Sequence, residues 1–212
     1  MSGAKRVILC LLTALVVNAA VASAASASPA WWVMGKALAT GATDLLAETT
    51  EVVEPFVVKE VATGEAVECK SVKIDEGFIE GESKAAAKAL AVGECSYLTK
   101  PSCKVLPFTT KPLSITLEGE PKALKLNFKP TTGTEVATVE FSGAGCPSMV
   151  VLKGTMACDY PGVETEAVSH LLEFTADSGT TLLTNFGSGF KKAELKGLDR
   201  FWLASEKDWS AQ

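Results

Sequence analysis

Apolar and polar residues alternate with a period of two through most of this chain, as expected of strands with one face buried and the other in water. The clearest run is Leu124 to Lys129, where Leu124, Leu126 and Phe128 alternate with Lys125, Asn127 and Lys129. Pro130 and Thr131-Thr132-Gly133 stop it, and a second run through Val139 and Phe141 breaks at Gly143 and Gly145. Comparable runs occupy 56–61, 67–74, 113–118, 149–158, 168–175, 180–186 and 200–205, most of them bounded by Gly, Pro or Asp/Ser turns. Strands at a spacing of roughly 8 to 12 residues with short turns predict an all-β fold, an antiparallel sandwich or barrel-like sheets. A single all-β domain over 25–212 accounts for the pattern; a division near Thr131 is the alternative.

Three segments resist this reading. Between Val67 and Ile74 the apolar positions move from odd (Val67, Cys69) to even (Val72, Ile74), which a bulge near Lys70-Ser71 would reconcile. Ser83 to Val92 has the composition of a helix, with Ser83 as a cap and Gly93 as a stop. Its strand-rich surroundings and the following Cys95 favour a strand instead. Leu38 to Glu48 carries a weaker form of the same ambiguity.

The amino terminus departs from the alternation. Lys5 and Arg6 precede an unbroken apolar run from Val7 to Val17, followed by Ala22-Ser23-Ala24 and Ala25-Ser26-Ala27. A charged start, a short apolar core and an A-x-A site describe a secretory signal peptide, here a leader helix over 1–24 cleaved after Ala24. Cleavage after Ala27 fits the spacing equally well. The run falls short of the ~20 apolar residues that cross a bilayer. Cys10 lies inside the apolar core and follows Leu9, a poor context for lipid attachment. The closing Trp209-Ser210-Ala211-Gln212 offers no apolar tail, so the expectation is release to the extracellular space without a stable membrane anchor. Removing the leader takes away Lys5 and Arg6 and no acid, which leaves 18 basic against 25 acidic groups. An acidic chain with scattered lysines is a poor partner for nucleic acid or an anionic membrane.

Export changes the reading of the cysteines, because thiols in an oxidising compartment pair. Cys69, Cys95, Cys103, Cys146 and Cys158 remain after leader removal. Sequence cannot fix their connectivity. Local spacing favours Cys95 with Cys103 and Cys146 with Cys158, each bridge worth roughly 2 to 4 kcal/mol. Cys69 is then the candidate free thiol, a small buried apolar residue in its simplest role. Zinc is a poor reading, since there is no C-x-x-C pair and His170 is the sole histidine.

Catalytic motifs are sparse in this chain. The G-x-S-x-G elbow, the H-E-x-x-H helix, phosphate-cradling glycine loops and D-x-D-x-D-G calcium loops are all missing. Asp159, Glu164, Glu166 and Glu173 surround His170 in sequence, and Ser169 is its neighbour. Yet Val168, His170, Leu172 and Phe174 share one strand face, which points Ser169 the other way and makes His170 a packed or edge residue. A carboxylate pair for glycoside hydrolysis can be drawn from 25 acids without any pair standing out, so an extracellular hydrolase is an alternative only. Glu48, Glu51 and Glu54 read as a solvated edge. Trp31, Trp32, Trp202 and Trp209 would form a sugar-stacking platform if both chain ends met, the mark of a carbohydrate-binding module with a glycan or cell-surface partner. Adjacent Trp31 and Trp32 on one strand face opposite sides, which argues for a core role. No catalytic, cofactor-binding or metal residue is assigned, and no cofactor is called for.

Several stretches carry a resemblance: Trp31-Trp32-Val33, Ile79-Glu80-Gly81, Gly93-Glu94-Cys95, Thr110-Lys111-Pro112-Leu113, Tyr160-Pro161-Gly162-Val163-Glu164-Thr165-Glu166, and Leu203 to Ala211. Together with the leader they make the chain resemble a multi-copy family of exported, β-rich proteins of soil actinobacteria whose activity is not established. The resemblance spans nearly the whole chain after the leader. It implies fold kinship and transfers no functional residue. The expectation is a secreted, disulfide-stabilised, non-catalytic β-protein that binds or builds at the cell surface.

Overall fold

Alternation of this kind should give strands and little else, and it does. The computed structural model describes residues 28–48, 52–120, 123–160, 166–175, 178–187 and 189–212, and among them there is no helix. The leader with its Ala24 and Ala27 sites, Glu51 and Glu164 lie outside the described residues.

The strands in chain order begin with β1 (Trp31–Val33), β2 (Lys36–Ala37), β3 (Thr43–Glu48), β4 (Glu54–Glu60), β5 (Ala66–Glu80) and β6 (Lys84–Tyr97). Next come β7 (Lys104–Val105), β8 (Phe108–Thr109), β9 (Leu113–Glu118), β10 (Lys125–Pro130), β11 (Glu135–Ser142) and β12 (Met149–Lys153). The last are β13 (Met156–Asp159), β14 (Ser169–Phe174), β15 (Leu183–Thr184), β16 (Lys191–Leu203) and β17 (Trp209–Ala211).

Following the antiparallel ladders through the described residues closes two rings of eight strands. One runs β16, β14, β13, β10, β9, β6, β5, β3 and back to β16. The other runs β16, β4, β5, β6, β7, β11, β12, β15 and back to β16. We call them the first and second rings. Closure removes open sheet edges, and eight strands give an interior that side chains can fill. The rings share β5, β6 and β16, each long enough to serve both. In β5, Ala66 to Cys69 pairs with β4, whereas Gly77 to Glu80 pairs with β3. The rings do not divide at Thr131, because β9 and β10 before it and β13 and β14 after it belong to the same ring.

Of the alanine-rich segment 83–92, Ser83 lies in the turn before β6 and 84–92 lie in β6, a strand as expected, with Ala85 and Ala87 buried inside the first ring. Tertiary pairing on both sides outweighs its helix propensity. The facing switch expected in β5 is real: the buried row moves from Val67 and Cys69 to Val72, then back to Ile79. No one-residue slip accompanies it. The β5–β6 register passes unbroken from Cys69↔Cys95 to Ser71↔Gly93, because both strands change face together. Glu94 (φ 51°) and Glu76 (φ 49°) lie where the two switches occur.

The cysteine pairing expected from local spacing is overturned. Cys69 bonds Cys95 and Cys103 bonds Cys146, while Cys158, not Cys69, is the free thiol. Cys69 and Cys95 stand directly opposite on β5 and β6, and antiparallel partners bring their side chains together. Cys103 enters β7, which pairs with the end of β11, and the turn after β11 returns Cys146 to it. Gly143 (φ 132°) makes that turn, and a Cβ there would lie 2.9 Å from the Cys146 sulfur. Cys146 and Cys158 cannot meet, because the chain runs extended through β12 and then leaves the second ring for the first at Gly154. Burial, with the neighbouring Asp159 charge adding to it, holds the Cys158 thiol well above its ordinary pKa, so it stays protonated.

Candidate functional site

The first and last of the described strands meet in a small sheet, with Trp31 opposite Ala211 and Val33 opposite Trp209. This brings the tryptophans together, but inward. Trp31 and Trp209 are 2% and 1% exposed, with ring centroids 5.8 Å apart. Trp31 Nε1 donates to the Lys84 carbonyl at 2.8 Å and Trp209 Nε1 to the Val168 carbonyl at 3.3 Å. Their rings, with Leu46, Ile79, Leu172 and Phe201, surround the interior of the first ring, where a void of only about 20 Å³ remains. Trp32 and Trp202 are half-buried and make no platform with them.

His170 belongs to this plug. It is 7% exposed, and its ring meets Trp209 edge-on at 4.7 Å and Tyr160 at 5.1 Å. The Trp209 carbonyl lies 2.6 Å from Nε2 and can only accept, so Nε2 carries the proton. Burial pushes the His170 pKa below 6.5, against a smaller opposing effect of that carbonyl. The Tyr160 hydroxyl is buried and its pKa is pushed well up. The Ala211 backbone opposes this shift to a smaller extent. The imidazole thus joins β14 to β17.

A second cluster joins β13 to the chain after β14. Ser178 Oγ donates to Asp159 Oδ2 at 2.8 Å and accepts from the Thr175 amide at 3.1 Å. Its single proton being used, the 2.8 Å contact between the two hydroxyls is donated by Thr175. Lys125 Nζ lies 3.5 Å from Asp159. Ser178 is 1% exposed, so this hydroxyl and carboxylate pair ties two segments together and presents no nucleophile. Register sets Asp159 opposite Glu173, but the lysine and serine already hold Asp159. Glu166 caps the turn after β1, accepting from the Gly35 amide at 2.6 and 2.7 Å.

The third group is Glu60, fully buried in the second ring. Oε2 accepts from the Phe186 amide at 3.2 Å and Oε1 from Thr63 Oγ1 at 3.2 Å. Nearby Tyr97 stacks on Phe186 at 5.6 Å, and burial, reinforced by Glu65, pushes its pKa up to about 12. Among the described residues no cluster of three or more His, Cys, Asp or Glu could hold a metal ion. No helix of the described residues is long and apolar enough to cross a membrane.

What the sequence did not reveal is a cavity inside the second ring. It measures about 80 Å³ and is walled by Phe56, Val72, Leu90, Val139 and Phe186 among others. Thr110 supplies the lone hydroxyl of its lining, and that oxygen accepts from the Leu90 amide at 2.9 Å. The Thr110-Lys111-Pro112 turn was the sole signal near it. The remaining walls come from strands far apart in the chain, so no local motif encodes the cavity. No family model, curated protein or solved structure matches this chain.

Proposed function

We propose that the protein is an exported, non-catalytic β-protein that serves as a binding or structural component of the cell surface or its surroundings. The observation that carries this reading is the pair of disulfides, Cys69–Cys95 and Cys103–Cys146, which belong to an oxidising compartment. The amino-terminal leader and the resemblance to exported actinobacterial proteins support it. The duties of the polar groups support it further: His170, Ser178, Asp159 and Glu60 each complete a bond between structural elements. Fractionation of the producing cell and a broad hydrolase screen test it. The expected result is protein in the medium or on the surface, with turnover at background. Turnover abolished by Asp159→Asn, Glu173→Gln or His170→Gln would overturn it.

A further inference from the structure

We propose that the second ring is a binding site for a small alkyl carboxylate, with its tail in the cavity and its head at a groove on the outer wall. The inference deepens the binding reading above and rests on it. Eight-stranded barrels have room for one small ligand, and this ring leaves about 80 Å³ unfilled. Water gains little there, because Thr110, whose oxygen already accepts from the Leu90 amide, is the one polar side chain of the lining, and a buried water needs two to four polar partners. A cavity of this kind stays dry and accepts hydrocarbon, which restores the dispersion contacts its walls lack.

The outer groove gives the site a door. It is open, about 420 Å³, and is lined by Ser71, Lys73, Gly93, Pro107 and Thr109 together with Val92 and Phe108. Val92 and Phe108 also line the interior cavity, so these two side chains separate inside from outside. β8 is two residues long and lies off the closed path of strands, pairing Phe108 with Val92 and Thr109 with Ala91. Its flanks are tied to β11 by the Leu106 amide to the Glu140 carbonyl and by the Thr110–Ala137 bridge, so a side chain rather than the backbone is the part that can move. Pro107 before it has no amide hydrogen to add. Phe108 is half-buried and is the side chain that must swing to admit a tail. Lys73 is the one charged residue of the groove lining, which selects an anionic head over a cationic one.

Titration of the folded, disulfide-intact protein with butanoate, hexanoate and octanoate, followed by methyl NMR, tests the proposal. Saturable shifts are expected at Val92, Val139 and Leu90, with affinity rising about fourfold per added methylene until the cavity is full. Octanol should bind the native protein, and octanoate the Lys73→Glu variant, about three- to fivefold more weakly than octanoate binds the native protein, the scale of a rim ion pair. Ala137→Leu, which fills the cavity from a buried wall position, should abolish binding. Absence of saturable shifts in the native protein overturns the proposal without any variant, as does affinity independent of chain length. Equal affinity for octanol overturns the choice of a carboxylate. None of these failures touches the exported, non-catalytic reading, which is decided by fractionation and turnover.

Discussion

Trp31 and Trp32 are neighbours, yet Trp31 is buried to 2% while Trp32 is only half-covered, as strand alternation demands. Trp31→Ala should cost about 3 to 5 kcal/mol in urea unfolding, since it empties the plug of the first ring. Trp32→Ala should cost far less; equal losses would contradict the inward and outward assignment. His170 carries a pH signature of known sign. Its folded pKa lies below 6.5, so the unfolded chain binds the proton more readily. Its contribution is therefore intact above about pH 6.5 and lost as pH falls below that value toward the folded pKa. The urea midpoint should fall across this window, and His170→Gln should remove part of that slope. An unchanged slope would mean the imidazole is not held neutral. The packed role of His170 was legible in the alternation of 168–174, whereas its Trp209 partner was not, because that contact joins β14 to the far chain end.

At the scale of elements, alternation was plainest where a strand keeps one face inward and weakest where a strand changes partner along its length; Leu38 to Glu48, ambiguous in sequence, holds the strand β3. Leu124 to Lys129 was plain because β10 keeps a single face inward throughout. The first half of β16 was missed. Gly197 and Asp199 interrupt its apolar row, although both are buried. Gly197 sits where the β16–β4 register shifts, between Lys196 and Leu198. A Cβ there would lie 2.7 Å from the Phe56 ring and 3.0 Å from the Phe56 Cα. Gly197→Ala should therefore destabilise the fold by about 1 to 3 kcal/mol, measured by thermal or urea unfolding. A neutral result would show that the shared strand bends more freely than its packing implies. The cysteines teach the same lesson. Spacing along the chain favoured near neighbours, but the β5–β6 register decides for Cys69 and Cys95.

The described residues form two closed rings built on three shared strands, together with the small β17-β1-β2 sheet, and apolar residues of both rings join in one continuous core. The all-β class was written in the pattern; closure was not, because the ladders that close each ring join strands distant in sequence. Both disulfides lie in the second ring or at its rim, the ring that also keeps the cavity. Cys69 of the first disulfide is itself part of the cavity wall. The account depends on this protein being exported and oxidised with that connectivity. Its most direct test is intact mass and non-reducing peptide mapping of protein recovered from the culture medium. The predicted result is a chain lacking residues 1–24, linked at Cys69–Cys95 and Cys103–Cys146, with Cys158 alkylated only after unfolding. A full-length, fully reduced chain found inside the cell, or a bridge at Cys158, would contradict it.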